Sequence, residues 1–249
     1  MRDTIKWLDK SALSQIDTQK YWNDLEIEKT KEWWITDGNY EKLFDYLQRS
    51  GLMAEYSKSE QYIPKSKPLK VADLAAGTGW TCALLSKLGN ISEIHAVEIS
   101  KHRLDLFEHS FRMFDGQIDK VYRYLGSFYD LKFRDASMDI VYLSQAFHHA
   151  QHPLQLLQEC DRILKKKGLI ILVGEHCIPL KKVFLKMIGS LKKGHLKFQF
   201  SSLFPLDPVL GDHYYTDLHY RVMFFKYGYK LKRVRALKKS IYIASKVLA

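Results

Sequence analysis

The stretch "VADLAAGTGWTCALLSKLGNISEIHAVEIS", residues 71–100, decides the fold. It opens on an apolar run and breaks at Ala75, Ala76, Gly77 and Gly79. It then continues with apolar residues at helical spacing and closes on a second apolar run ending in an acid, Glu98. Strand, small-residue turn, helix and strand make a βαβ unit, and near-continuous apolar strands belong to parallel sheets covered on both faces. In an open α/β sheet the ligand sits beyond the carboxyl ends of the strands. There small residues let the backbone approach it, and the next helix offers free N–H groups. A carboxylate ending the neighbouring strand can accept hydrogen bonds from both hydroxyls of a ribose. The stretch reads as a nucleoside site.

The alternation continues outward. "LKVADLA", "EIHAVEI", "KVYRYLG", "MDIVYLS" and "LIILVGEH" read as strands, with "WTCALLSKLG" and "KHRLDLFEHSFRMF" as helices between the first three. "HPLQLLQECDRILKKKG" reads as a helix with Pro153 in its first turn, an apolar stripe of Leu154, Leu157, Cys160 and Leu164, and Gly168 as its stop. "YKLKRVRALKKSIYIASKVLA" reads as a hairpin. The fold class is α/β: a doubly wound, mostly parallel, seven-stranded Rossmann-like sheet with a C-terminal antiparallel hairpin and an N-terminal helical cap. Residues 1–68 form that cap and a linker, with amphipathic helices around Trp22, Leu25, Trp33, Trp34, Leu43, Phe44 and Leu47 and a turn at residues 37–39. Residues 69–249 form the main domain, with an insertion at about 176–225.

The 249 residues suit one such core, and 46% hydrophobic with 27% charged residues argues against a disordered or fibrous chain. No apolar run is long enough to span a bilayer and the amino end lacks a signal-like apolar stretch, so a cytoplasmic location is expected. Cys82, Cys160 and Cys177 have no metal-like spacing and suit a reducing compartment. The net charge of +11 favours anionic partners, and it is local: residues 176–206 carry six lysines and no acid.

A dinucleotide fingerprint would place a third glycine where "GTGWTC" has Cys82, and no phosphate-binding loop of the G-x-x-x-x-G-K-[ST] kind is present. "VADLAAGTG" with Glu98 instead resembles the first two motifs of the class I S-adenosylmethionine-dependent methyltransferases. "GSFYDLKFRDASMDIVYLSQAFHHAQHPLQLLQECDRILKKKGLIILVGEH" resembles the later motifs of their type 11 members, the group of the ubiquinone and menaquinone methyltransferases. The resemblance implies S-adenosyl-L-methionine as cofactor. It places Asp73, Ala75, Gly77 and Gly79 by the methionine part, Glu98 and Ile99 at the ribose, Ser127 and Phe128 at the adenine, and Ser144 and Gln145 at the sulfonium. Ala75 stands where the family's first loop glycine often is, and Ser127 where an Asp commonly takes the adenine amino group.

A hydroxyl acceptor must lose a proton, and histidine titrates near neutrality. His148 and His176, each following a strand, are the catalytic candidates. His149, His213, Tyr214 and Tyr215 are assigned to the acceptor, with "GDHYYTDLHY" as a closing lid. His148 and His152 have helical i, i+4 spacing, but with no Glu or distant ligand evident no metal is expected. Ile178, Val183, Phe184, Met187, Ile188 and Leu191, with lysines around them, read first as a core stripe under a solvated rim. The alternative use of the lysines at 181–197 is contact with a membrane surface or an anionic substrate. Nucleic acid is disfavoured, since no [ND]-P-P-[YF] motif or RNA-binding module is present. The expected function is methyl transfer to a small molecule, such as a hydroxyl of a sugar or of another, anionic or lipid-linked metabolite. An RNA methyltransferase and a non-catalytic cofactor-binding module are the alternatives.

Overall fold

The computed structural model describes residues 2–8, 40–65, 67–193, 199–207, 211–236 and 240–247. Among them a single sheet runs in the order β1-β4-β3-β2-β5-β6-β8-β7. Its strands are β1 Ile5–Lys6, β2 Leu69–Leu74, β3 Ile91–Glu98, β4 Val121–Leu125, β5 Met138–Ser144, β6 Leu164–Glu175, β7 Tyr229–Arg235 and β8 Ser240–Lys246. The pairings from β1 to β6 are parallel, and β8 runs antiparallel to both β6 and β7. The expected class therefore holds, with one strand more than the sequence suggested.

That strand, β1, lies within the segment read as a helical cap. Trp7 donates its backbone N–H to Leu125 O at 3.0 Å and packs its ring 4.5 Å from Tyr124 and 4.8 Å from Phe133. The helices of the cap are α1 Tyr40–Ser50 and α2 Leu52–Glu60; the turn at 37–39 and the tryptophans at 22, 33 and 34 lie outside the described residues. Leu43, Leu47, Leu52 and Tyr56 are buried in the same cluster as Val71, Ile140 and Tyr142, so α1 and α2 share the sheet's core. Gly174 N donates to the buried Glu55 carboxylate at 2.9 Å, and Ser59 and Tyr142 share a hydroxyl bond at 2.9 Å.

Among the described residues seven further helices lie between strands: α3 Trp80–Ser86, α4 Lys101–Asp105, α5 Phe107–Phe114, α6 Pro153–Ile163, and, all between β6 and β7, α7 Leu180–Lys192, α8 Phe200–Leu203 and α9 Asp217–Phe225. Alternate residues of each central strand enter opposite layers. Val71 and Ile140 meet α2, α3 and α5, whereas Ala72, Leu74, Val141 and Leu143 meet α6 and α9. α9 buries Tyr220 against Tyr242 and Phe224 against Phe147 and Tyr229, so the last part of the supposed insertion is a layer of the domain.

Two helix expectations are corrected. α6 stops at Ile163 and buries Leu156, Leu157, Cys160 and Ile163, leaving Leu154 exposed. Leu164, the lysines after it and Gly168 belong to β6, where pairing jumps from Met138–Leu164 to Ile140–Leu169. The bulge is drawn in by Asp139, whose carboxylate takes Lys70 N at 3.0 Å and Lys165 Nζ at 2.7 Å. Gly168 lies so close to β5 that a Cβ would sit 2.8 Å from Asp139 O. In α7 no residue is buried: Leu180, Phe184, Leu185 and Leu191 face solvent, contrary to the core-stripe reading.

Gly168→Ala is expected to destabilise the chain by about 1–3 kcal/mol, because the contact is with strand backbone and cannot yield. Denaturant unfolding at constant m-value checks this; an unchanged midpoint would mean that the bulge tolerates a side chain.

Candidate active site

The turn after β2 is built on left-handed backbone: φ is 54° at Ala75, 57° at Gly77 and 77° at Gly79. Gly79 is needed twice over, since a Cβ there would also lie 2.7 Å from the Phe107 ring. Ala75 has a Cβ in the conformation that normally excludes one, a strain of about 1–2 kcal/mol. Replacement of a glycine by alanine here is small for small in volume and costly in backbone.

Glu98, at the end of β3, closes the other side of the turn. One carboxylate oxygen accepts Gly77 N at 2.8 Å, and the other accepts Ile99 N at 2.8 Å and Ser100 N at 2.9 Å. Burial pushes its pKa up, against the opposing pull of Arg103 and the three N–H donors. Below the turn Asp73 is fully buried; one oxygen accepts the Thr81 hydroxyl and the Cys82 thiol, and the other, Oδ1, has no hydrogen-bond partner. Burial pushes the Asp73 carboxyl up to about 6.

These groups border a cavity with about 1070 Å³ between its walls, open solvent at the mouth included, which is ample for a nucleoside bearing an amino-acid side arm. Residues 75–78 and Glu98–Ile99 line one wall, Ser127, Phe128 and Tyr129 another, and Ser144, Gln145 and His149 a third. Tyr46 and Leu47 of α1 also line it, and the Tyr46 hydroxyl donates to Gln145 at 3.0 Å. Thr78 Oγ1 and Ser144 Oγ, both on the lining, are buried without a hydrogen-bond partner, as is Asp73 Oδ1. Buried polar atoms are rarely left so, and their grouping about one cavity fits a polar ligand. Ser127 Oγ accepts Tyr129 N at 3.1 Å, so its proton is left to donate.

Beyond His149 lies a polar cluster. Asp212 Oδ1 is 3.0 Å from His149 Nδ1 and 3.9 Å from His148 Nε2, and Asp212 Oδ2 is 3.2 Å from His176 Nε2. His148 Nδ1 meets the buried Glu175 at 2.9 Å, and Glu175 also accepts Phe147 N at 3.1 Å and the Tyr220 hydroxyl at 3.0 Å. Burial, aided by His148, pushes His149 down to about 4, so its ring is neutral at physiological pH. Burial alone would raise Asp212, but the neighbouring imidazoles hold its carboxyl well below the usual range.

Of the site residues expected from sequence, Ala75, Gly77, Glu98, Ile99, Ser127, Phe128, Ser144, Gln145 and His149 line the cavity. Asp73 and Gly79 support its floor without lining it. His148, His176, His213, Tyr214 and Tyr215 do not line it; His148 is buried behind His149, and Tyr215 packs on Phe147 and Tyr220. Asp212 and Glu175 were not singled out as site residues, although both stand in the motifs quoted. Tyr46, Trp80 and Arg103 also escaped, since nothing in their local sequence marks a wall.

A doubly wound sheet with a nucleoside-type cavity at the carboxyl ends of β2 and β3 defines a nucleotide-cofactor domain, and comparison narrows the class. Residues 72–172 match the methyltransferase domain family, so this segment is a class I methyltransferase domain of type 11. The demethylmenaquinone methyltransferase of Thermotoga maritima is 31% identical over 113 residues, which cover 45% of this chain and 46% of that protein. The matches to such relatives thus span about half of each partner. A chain from the complex of the Haloferax volcanii Trm112 methyltransferase activator with a methyltransferase superposes with a TM-score of 0.63 at 16% identity, over 85% of this chain and 95% of that one. A SAM-dependent methyltransferase from Aquifex aeolicus gives 0.57 at 15% identity, over 82% and 94%. Likeness at such identities shows the fold.

Ala75→Gly is expected to raise stability by about 0.5–1 kcal/mol by relieving the left-handed strain, a Tm gain of roughly 1–3 °C. Asp73 gives a second test. Its carboxyl loses its proton near pH 4 when unfolded and near 6 when folded, so between these values the folded state holds the extra proton and stability falls as pH rises. The stability of Asp73→Asn minus that of the native chain should climb across pH 4–6 and level off above; a flat difference would mean that Asp73 ionises normally.

Proposed function

We propose that the protein transfers a methyl group from S-adenosyl-L-methionine to a hydroxyl of a small, lipid-linked or otherwise amphiphilic acceptor. The observation that carries the cofactor reading is Glu98. Three backbone N–H groups fix its carboxylate at the cavity wall, opposite a glycine turn that leaves room for a ligand. In this reading Glu98 holds the ribose hydroxyls and the turn at 75–79 passes the amino-acid arm. The uncompensated Asp73 oxygen below supplies negative charge toward an ammonium. Phe128 and the Ser127 hydroxyl face the base.

The bound cofactor supplies a methyl group already activated by its sulfonium, so alignment and exclusion of water can provide much of the rate. Ser144, Gln145 and His149 form the wall toward which that methyl group would point, with Gln145 set by Tyr46. A hydroxyl acceptor presses on this wall, and its proton is drawn off where His149 and Asp212 stand. The preference for an amphiphile rests on α7, whose exposed Leu180, Phe184 and Leu185 alternate with Lys181, Lys182 and Lys186. A free sugar has no apolar part to meet that face. The relatives' name, demethylmenaquinone methyltransferase, points the same way in that it denotes a small-molecule acceptor.

Calorimetry should give micromolar binding of S-adenosylmethionine and none of NAD, and Glu98→Ala should weaken the former by about 1.5–3 kcal/mol. Tight NAD binding alone would end the proposal. With labelled cofactor, methyl should pass to a lipid-extract fraction and not to bulk RNA; labelled RNA would favour the nucleic-acid alternative. His149→Ala should lower turnover by about 10²–10⁴-fold while sparing cofactor affinity.

A further inference from the structure

We propose that His148, His149 and Asp212 bind one divalent first-row transition-metal ion at the wall of the cavity. Their potential ligand atoms all lie within 4.8 Å of one another: one imidazole nitrogen from each histidine and one oxygen of the carboxylate. They come from two chain regions that sequence does not link, the turn after β5 and the segment before α9. His213 N binds them together by donating to His148 O at 2.8 Å.

The arrangement of donors favours a cation over a hydrogen-bond network. His148 Nδ1 is 2.9 Å from Glu175 Oε2, so it carries the ring proton and leaves Nε2 with its lone pair toward Asp212. That Nε2 is 3.9 Å from Asp212 Oδ1, too far for a hydrogen bond. Two ligands about 2.1 Å from one metal stand about 3.0 Å apart at a right angle and about 3.4 Å apart at the tetrahedral angle. The separations of 3.0 Å from His149 and 3.9 Å from His148 bracket these values. Asp212 Oδ1 is buried, with His149 Nδ1 3.0 Å and His148 Nε2 3.9 Å away, so its negative charge faces both imidazoles.

The outer contacts match as well. Metal-bound histidines usually donate their second N–H to a carboxylate, which fixes the tautomer, and Glu175 does so for His148 while Phe147 N and the Tyr220 hydroxyl hold it in turn. His176 holds Asp212's other oxygen at 3.2 Å. Two imidazoles and one carboxylate suit zinc and its first-row neighbours and leave positions open, whereas magnesium prefers oxygen ligands alone. Because His149 lines the cavity, an ion held by this residue would stand at the cavity wall, within reach of an acceptor. An acceptor oxygen bound there would be polarised and its proton made more acidic. The metal site itself does not depend on the methyl-transfer reading.

The test uses the full chain without a histidine tag, stripped with a chelator and titrated with Zn²⁺, Co²⁺ and Mg²⁺. One equivalent of Zn²⁺ or Co²⁺ should be retained after desalting, with a rise in Tm and a cobalt absorption spectrum of nitrogen and oxygen ligation. His149→Gln and Asp212→Asn should each lose the stoichiometric metal, and Glu175→Gln should bind it about 10–100-fold more weakly. Cys177→Ser and His152→Gln should bind as the native chain does. If Asp212→Asn fails to fold, His149→Gln, checked by circular dichroism, decides alone. Absence of stoichiometric uptake, preference for Mg²⁺, or retention of full uptake by folded His149→Gln would overturn the proposal. Such a result would leave cofactor binding and methyl transfer, read by calorimetry and label, untouched.

Discussion

A buried carboxylate that takes three backbone N–H bonds must hold its donors in register, and Glu98 takes one from the turn after β2 and two from the turn after β3. The two crossovers therefore cannot drift apart without exposing a charge to an apolar core. From that clamp the rest follows. Gly77 and Gly79 must stay left-handed, α3 must begin where the Phe107 ring leaves no room for a side chain, and the strand ends must open as a cleft. The cost of burying Glu98 is offset by bonds to the chain itself, so the cleft keeps its shape before any ligand arrives.

The same physics explains what could be read in the sequence. Buried parallel strands write themselves as runs such as "VADL" and "DIVYL", and a backbone that must turn left-handed writes itself as glycine, so the sheet and the cofactor wall were legible residue by residue. Ala75 was legible as a small residue but not as a strained one, because strain belongs to φ and not to volume. β1 was invisible: two residues pair with β4 only because Trp7 finds Tyr124 and Phe133, a contact made across more than a hundred residues. Lysines 165–167 looked like a helix end because charge patterns do not report the buried Asp139 that draws one of them into the sheet.

The histidines show where local reasoning stops. His148, His149 and His176 were legible as a group near strand ends, but their order of access to the cavity was not. His149 reaches it; His148 is turned inward by Glu175, and His176 contacts the aspartate from the far side. Asp212, about sixty residues further along, joins them only because Ile178 and His213 dock the segment before α9 through backbone bonds. A side chain's neighbours in space are set by such docking, which leaves no periodic trace.

The placement of α1 has a consequence for how such a protein can change. Tyr46 and Leu47 overhang a cavity whose other walls come from the recurrent methyltransferase segment, and the helix that follows theirs, α2, is anchored from below through Glu55 and Ser59. The chamber is thus divided between two parts of the chain, with the nucleoside walls in one and the overhang in the other. Substitutions along α1 can reshape the entrance while the Glu98 clamp stays as it is. New substrates become reachable through a region whose drift leaves the cofactor seat intact.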